Sequence, residues 1–201
     1  MTENLKLTRL SLEAAAEAVN RAEAAYIHKP DFPDLVDKGI EPNIRPVVVA
    51  LVAHGFPTQN SCEGHLGLNL YPWIRLEPDI SDNPTRDQVL EHLKRIHYEH
   101  EQLEELLGEF WEHAPRASAD RELHATLEWE PREQSDKEVA DEYLAELAQH
   151  FIAPPGYWLQ CRGAEILTQL PGELLAPLQE QILANRQQDM LDFAEYLRSK
   201  L

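Results

Sequence analysis

From Val89 the apolar residues advance in steps of four and three: Val89, Leu93, Ile96, His100, Leu103, Leu107, Phe110. His100 is the one polar member of that series. Only a helix gathers such a series on one side, because 3.6 residues complete a turn. Asn83-Pro84-Thr85 stands at its start, and Thr85 with Gln88 has capping-box spacing. The helix predicted over 86–112 is about 40 Å long at 1.5 Å per residue. A small sheet cannot cover so long a seam. The helix is therefore expected to protrude or to pack against a second copy, making a non-enzymatic module that forms a homo-oligomer one reading of the chain.

The remaining segments supply the partners for that helix. Ser11 is placed to cap a helix over 11–26, with Leu12, Ala15, Ala16, Val19, Ala22 and Tyr26 on one stripe. Lys29 to Pro42 carries three prolines and reads as an irregular connection. In Asn43 to His54 the run Val47-Val48-Val49 favours strand. Asn43 as a cap, Pro46 in a first turn and Gly55 beyond the end favour helix, and this punctuation decides for a buried helix. Leu70 to Glu77 alternates as a strand, with Thr58 to Cys62 a short strand before it and Glu63 to Asn69 between them.

Glu122 to Glu130 gives the clearest alternation, Leu123, Ala125, Leu127 and Trp129 on one face. Ser135 and Glu138 then open a helix with Val139, Tyr143, Leu147 and Phe151, which Pro154-Pro155 ends. Tyr157 to Arg162 reads as a strand, and Glu165 to Leu170 as either a strand or a helical turn. A last helix over 173–198 follows Pro171-Gly172, with Leu174, Leu178, Ile182, Met190, Ala194 and Leu197 on a stripe. The order of elements predicts one α+β domain over 1–201. Its sheet is small, mixed or antiparallel, of about four strands, with helices packed on it, and the helices over 11–26 and 173–198 pack on the domain.

Charge narrows the partners. Eighteen Lys and Arg stand against 36 Asp and Glu, a net charge of -18 over 201 residues. Phosphate backbones and anionic membrane surfaces repel such a chain unless basic residues cluster. Arg45, Lys94, Arg95, Arg116 and Arg121 are scattered, so the composition argues against a nucleic-acid partner. No apolar run approaches the roughly 20 residues of a membrane span. Met1 to Leu10 is polar, unlike a signal peptide, and a cytoplasmic location is expected. Cys62 and Cys161 make no disulfide framework and no CxxC pair, and are expected as free thiols.

Chemistry concentrates in Thr58-Gln59-Asn60-Ser61-Cys62-Glu63-Gly64-His65. A thiol attacks only as thiolate, so Cys62 needs a neighbour that lowers its pKa, and His65 supplies one if the chain folds back at Gly64. In that reading Cys62 is the nucleophile, His65 the base and Glu63 the orienting or proton-transferring carboxylate. Thr58 and Ser61 offer hydroxyls to a small-molecule substrate, and Arg75 a cation to its anionic group. Cys62 and His65 also have a spacing compatible with chelation from a turn, given further ligands such as His54, His100, His124 or Glu128. The third reading is a structural turn with Cys62 as a small buried hydrophobe. The sequence alone names no cofactor and assigns no metal.

The residues Gly55, Phe56, Thr58, Ser61, Cys62, Glu63, Gly64 and His65, followed by Pro72, Trp73 and Ile74, carry a resemblance. The pattern resembles short bacterial and phage proteins of unassigned function that share an S-C-E-G-H turn between an apolar helix and a strand. More distantly, it is similar to the T-x-S-S-C-S-G-R turn of the wybutosine-synthesising methyltransferase-type proteins, where the turn is associated with a tRNA modification site. Glu63 and His65 stand here where that family has serine and arginine. The resemblance spans Asn43 to Glu77.

Elsewhere, His100 reads as a core or interface histidine, while His92 and His97 flank the seam and are expected to be solvated. His124, Glu128, Arg75 and Arg162 lie on polar strand faces and join the motif only if those strands are neighbours. Trp73 and Trp129 are placed to cover a ligand or to pack. A Cys62–Cys161 bond requires the fold to bring the two together.

Overall fold

A computed structural model of the chain describes residues 7–27, 39–66, 71–76, 85–113, 122–128, 156–162 and 172–201. Among these, four helices and four strands follow in the order α1 (Leu12–Ile27), α2 (Arg45–His54), β1 (Thr58–Cys62), β2 (Trp73–Leu76), α3 (Arg86–His113), β3 (Glu122–Glu128), β4 (Gly156–Arg162) and α4 (Gly172–Ser199). The expected helix from Ser135, the reading of Glu165 to Leu170 and most of the Lys29 to Pro42 connection lie outside the described residues.

The helix ends follow their local chemistry. The hydroxyl of Ser11 accepts from the N–H of Ala14 at 3.2 Å, capping α1. At α3 the capping box closes in both directions: Thr85 N–H donates to Gln88 Oε1 at 2.8 Å, and Gln88 N–H to Thr85 Oγ1 at 3.3 Å. The run of valines does form a helix. Its first turn has Pro46 and its cap is Ile44, whose side chain makes no capping hydrogen bond; Asn43 stands one residue outside. Its end is set by Gly55, with φ 93°. Gly55 N–H donates to Val52 O and Phe56 N–H to Leu51 O, each at 3.0 Å, while Leu51 and Phe56 share the core.

The four strands form an antiparallel sheet in the order β1-β2-β4-β3. Thr58 pairs with Leu76, Ser61 with Ile74 and Cys62 with Trp73, with an irregularity at Gln59. Ile74 also pairs with Leu159 of β4, and Leu159 with Ala125 of β3. Ile74, Leu76, Leu159, Cys161 and Leu123 are buried. Helices α2, α3 and α4 pack against the sheet, and α1 packs on α2. The shared core joins Val47, Val48 and Leu51 of α2, Ile96, Leu103, Leu107 and Phe110 of α3, and Met190, Phe193 and Leu197 of α4.

The long seam is thus covered by the chain itself. Val89, Ile96, Leu103, Leu107 and Phe110 are buried, and Phe110 meets Phe193 edge-on with ring centroids 5.3 Å apart. Helix α4 is as long as α3, 28 residues each, and covers the seam together with β3 and β4. His92 is a correction: expected in solvent, it is buried at 7 % exposure. Alternation with a period near 3.6 carries it onto the inner side beside Val89 and Ile96. Glu99 of the same helix is fully buried and accepts from Arg95 Nε at 2.7 Å. No described helix is long and apolar enough to cross a membrane.

Candidate functional site

The site is built where β1 ends and the turn before α2 begins. Cys62 closes β1, and Gly64 follows at φ 82°, a left-handed conformation that glycine adopts without strain. The chain does fold back there. Gly64 N–H points at Cys62 Sγ, 3.4 Å away, and His65 returns beside the thiol.

The carboxylate that meets His65 comes from Glu41. His65 Nε2 lies 2.7 Å from Glu41 Oε1, and the N–H of Glu63 donates to Glu41 Oε2 at 2.7 Å. Glu41 is fixed in turn by its own carbonyl, which accepts from the N–H groups of Ile44 (3.3 Å) and Arg45 (3.0 Å) as α2 begins. One carboxylate oxygen of Glu41, one ring nitrogen of His65 and Cys62 Sγ all lie within 4.8 Å of one another.

Glu63, read in the sequence as the orienting or proton-transferring carboxylate, faces the backbone ahead of α2. Its carboxylate accepts from Asn43 N–H at 2.9 Å, and its carbonyl from Gln187 Nε2 of α4 at 3.1 Å. Glu41 and Glu63 therefore hold each other's segments, each carboxylate taking an N–H from the other's side. Glu63 neighbours the thiol by charge, while Glu41 is the carboxylate hydrogen-bonded to the imidazole.

The thiol of Cys62 is pushed above its usual pKa. Burial is the main cause, the Gly64 N–H opposes it, and the charges of Glu41 and Glu63 add to the rise. A thiol held protonated is a poor nucleophile, whatever its distance from His65. Glu41, Cys62 and His65 could nonetheless hold a metal ion, since a carboxylate, an imidazole and a thiol that gives up its proton are all metal ligands.

Other residues read from the sequence fall at varied distances from this cluster. Ser61 pairs with Ile74 one step back along β1, and its N–H is taken by Asn60 Oδ1 at 2.8 Å. Thr58 is at the far end of β1 beside Leu76, about 13 Å away by strand rise. Arg75 is half-buried in the middle of the sheet, opposite Asn60 and Trp158, two residues beyond Trp73. Trp73 is the cross-strand partner of Cys62.

The further ligands proposed for Cys62 and His65 are not those the fold brings. His54 closes the opposite end of α2, where its Nε2 lies 2.7 Å from Leu197 O. It lines a separate cavity of about 490 Å³ with Leu7, Arg9, Tyr98, Glu105 and Lys200. His100 is half-buried on α3, 3.7 Å from Glu104, and burial holds its pKa below the usual range. His124 and Glu128 belong to β3, the strand at the other edge of the sheet from β1.

Cys62 and Cys161 are both free thiols. Strand β2 lies between their strands, a separation of about 10 Å, beyond the reach of a disulfide. Cys161 is fully buried, and its Sγ donates to Asp189 Oδ2 of α4 at 3.3 Å.

Glu41 is what the sequence did not reveal. It stands in the proline-bearing connection, 22 residues before Glu63, and belongs to no local pattern with it. Its only local signal is an acidic residue just before a helix, a position the helix N-terminus favours. No protein-family model, curated protein or solved structure matches the chain.

Proposed function

We propose that the protein binds a divalent transition-metal ion, zinc foremost, through Glu41, Cys62 and His65, as a site for a small-molecule ligand or for catalysis. The observation that carries the reading is the convergence of a carboxylate, a thiol and an imidazole within 4.8 Å from two segments of the chain. A soft thiolate with an imidazole and one carboxylate suits zinc better than magnesium or calcium, which take oxygen ligands. Zinc bonds to sulfur are about 2.3 Å and to nitrogen or oxygen about 2.0–2.2 Å, so loosening the Glu41–His65 hydrogen bond makes room for the ion.

Among the described residues three ligands converge, which leaves a fourth position of a tetrahedral ion to water or a substrate. The side chains of His65 and Glu41 keep 44 % and 31 % of their exposure, so that position faces solvent. A metal held by three ligands with an open fourth site is the arrangement of catalytic zinc, where the ion acts as a Lewis acid on a bound water or carbonyl. The chain's own part is to hold Glu41 and Cys62 in place through the Glu63 and Gly64 amides.

Zinc titration of the metal-free protein, followed by calorimetry and by the absorption of its cobalt form, tests the reading. One equivalent of cobalt with a sulfur-to-metal charge-transfer band that Cys62→Ser removes is expected. Cobalt or zinc uptake that is the same in Cys62→Ser, His65→Ala and Glu41→Gln overturns it. No uptake at all also overturns it, and leaves the turn as a structural clasp between β1, α2 and α4.

A further inference from the structure

Glu41 is only as well placed as the backbone that carries it, and that backbone is tied to α1. The carboxylate of Glu23 accepts from the N–H of Ile40 at 2.6 Å through Oε1. Through Oε2 it takes Arg45 Nη1 at 2.8 Å, and Arg45 Nη2 reaches the Asn20 side chain as well. Ile40 directly precedes Glu41, and Arg45 opens α2 directly after the turn that Glu41 begins. One carboxylate thus clamps the chain on both sides of Glu41.

Both oxygens are committed to this clamp. Burial alone would raise the Glu23 pKa, but the Arg45 guanidinium and the Ile40 N–H outweigh it and hold it below the usual range. The neighbouring residue is shaped for the contact too. A Cβ added at Gly39 would collide with Glu23 Oε1, so the bare glycine is what lets the carboxylate reach the Ile40 amide.

We infer that Glu23, with Arg45, is the positioning residue of the metal site, setting the place of Glu41 without touching the ion. This inference rests on the metal reading above. Supporting residues around metal ligands typically contribute about 10–100-fold to affinity, because they hold a ligand in the one orientation that serves the ion. Glu23 does this through the main chain, from a helix that contributes no ligand.

A double-mutant cycle on zinc affinity tests it. Glu23→Ala is expected to weaken zinc binding about tenfold in the wild-type background. In the Glu41→Gln background the same change should cost less than twofold, since the ligand it positions is already lost. Glu23→Gln, which keeps an acceptor for Ile40, should fall between. Equal losses in both backgrounds, or no loss in the wild type, overturn the inference while leaving the metal site standing.

A second measurement needs no metal. In the metal-free protein, hydrogen exchange at the Glu63 amide, which donates to Glu41, should quicken in Glu23→Ala. The Leu10 amide, bonded to Ala53 O, should keep its rate. An unchanged Glu63 amide overturns the inference even where zinc binding to the wild type proves absent.

Discussion

Glu41 presents one carboxylate oxygen to His65 Nε2 and the other to the Glu63 amide, each at 2.7 Å. The first contact is where a metal would enter, and the second is what aims the carboxylate. The two acidic residues, one before α2 and one after β1, can therefore be separated by experiment. Glu41→Gln should lower zinc affinity at least tenfold. Glu63→Gln keeps all three ligands, so zinc affinity should stay within about threefold while stability falls by about 0.5–1.5 kcal/mol as its bond to Asn43 weakens. Calorimetry and urea unfolding on both variants check this; equal zinc losses would show that the two carboxylates act alike.

The raised Cys62 thiol sets a reactivity and a pH dependence. Alkylation of Cys62 by iodoacetamide at pH 8 should be slower than that of a small free thiol, because less of it is thiolate. Zinc must displace that proton, so affinity should rise with pH across 6 to 8, with at least about one proton released per ion. Titrations in buffers of different ionisation enthalpy count the protons. A Cys62 that outpaces a free thiol would return the nucleophile reading to first place.

The pH dependence of folding should come in part from the far end of α2. His54 has its pKa lowered, first by burial, against the opposing bond to Leu197 O and with a small push from Arg9. The unfolded chain then binds a proton near pH 6.5 that the folded chain resists. Stability should be full above pH 6.5 and decline as pH falls below it; the lowered His100 acts in the same direction. Urea midpoints at pH 7.5 and 5.5 measure the loss. His54→Gln, which can still donate to Leu197 O, should shrink the difference between the two.

Two glycines should respond with opposite sign to alanine. Gly55 has φ 93°, and a Cβ there would stand 2.8 Å from Thr8 O and 3.0 Å from Thr8 N. Gly55→Ala should cost of the order of 1–3 kcal/mol, from strain at that φ and from displaced backbone. Gly108 lies inside α3 with nothing within 4 Å of a Cβ. Gly108→Ala should gain about 0.5–1 kcal/mol from a stiffer unfolded chain. Thermal unfolding of the pair is enough to compare them.

How far the sequence could be read follows from the range of each interaction. Helix α2 was legible against its valines because Pro46 and Gly55 act within a few residues of the backbone they govern. The capping box of α3 was legible for the same reason, as was the α+β class from the order of alternating and helical patterns. The cover over the α3 seam was not, because it comes from β3, β4 and α4 together, segments that meet α3 only after the chain has closed. Cys62 and His65 could be picked out by density of reactive side chains. Glu41 could not, since nothing but the tertiary turn brings it to them, and Glu23 lies one step further from any local signal. The buried His92, Glu99, Arg186 and Asp189 belong to the same class: periodicity places them inward, and only the neighbours that receive them make that tolerable.

The bond from Gln187 to the Glu63 carbonyl spans 124 residues of sequence. The centre of the sheet has the same character, with β2 paired to β4 across the whole of α3 and β3. Contacts this distant close late, and a chain rich in them folds slowly. During synthesis residues 41 to 65 leave the ribosome long before α4 does. The segments that carry Glu41 and Glu63 therefore wait, one tie short, for α4 to bring Gln187 to the Glu63 carbonyl.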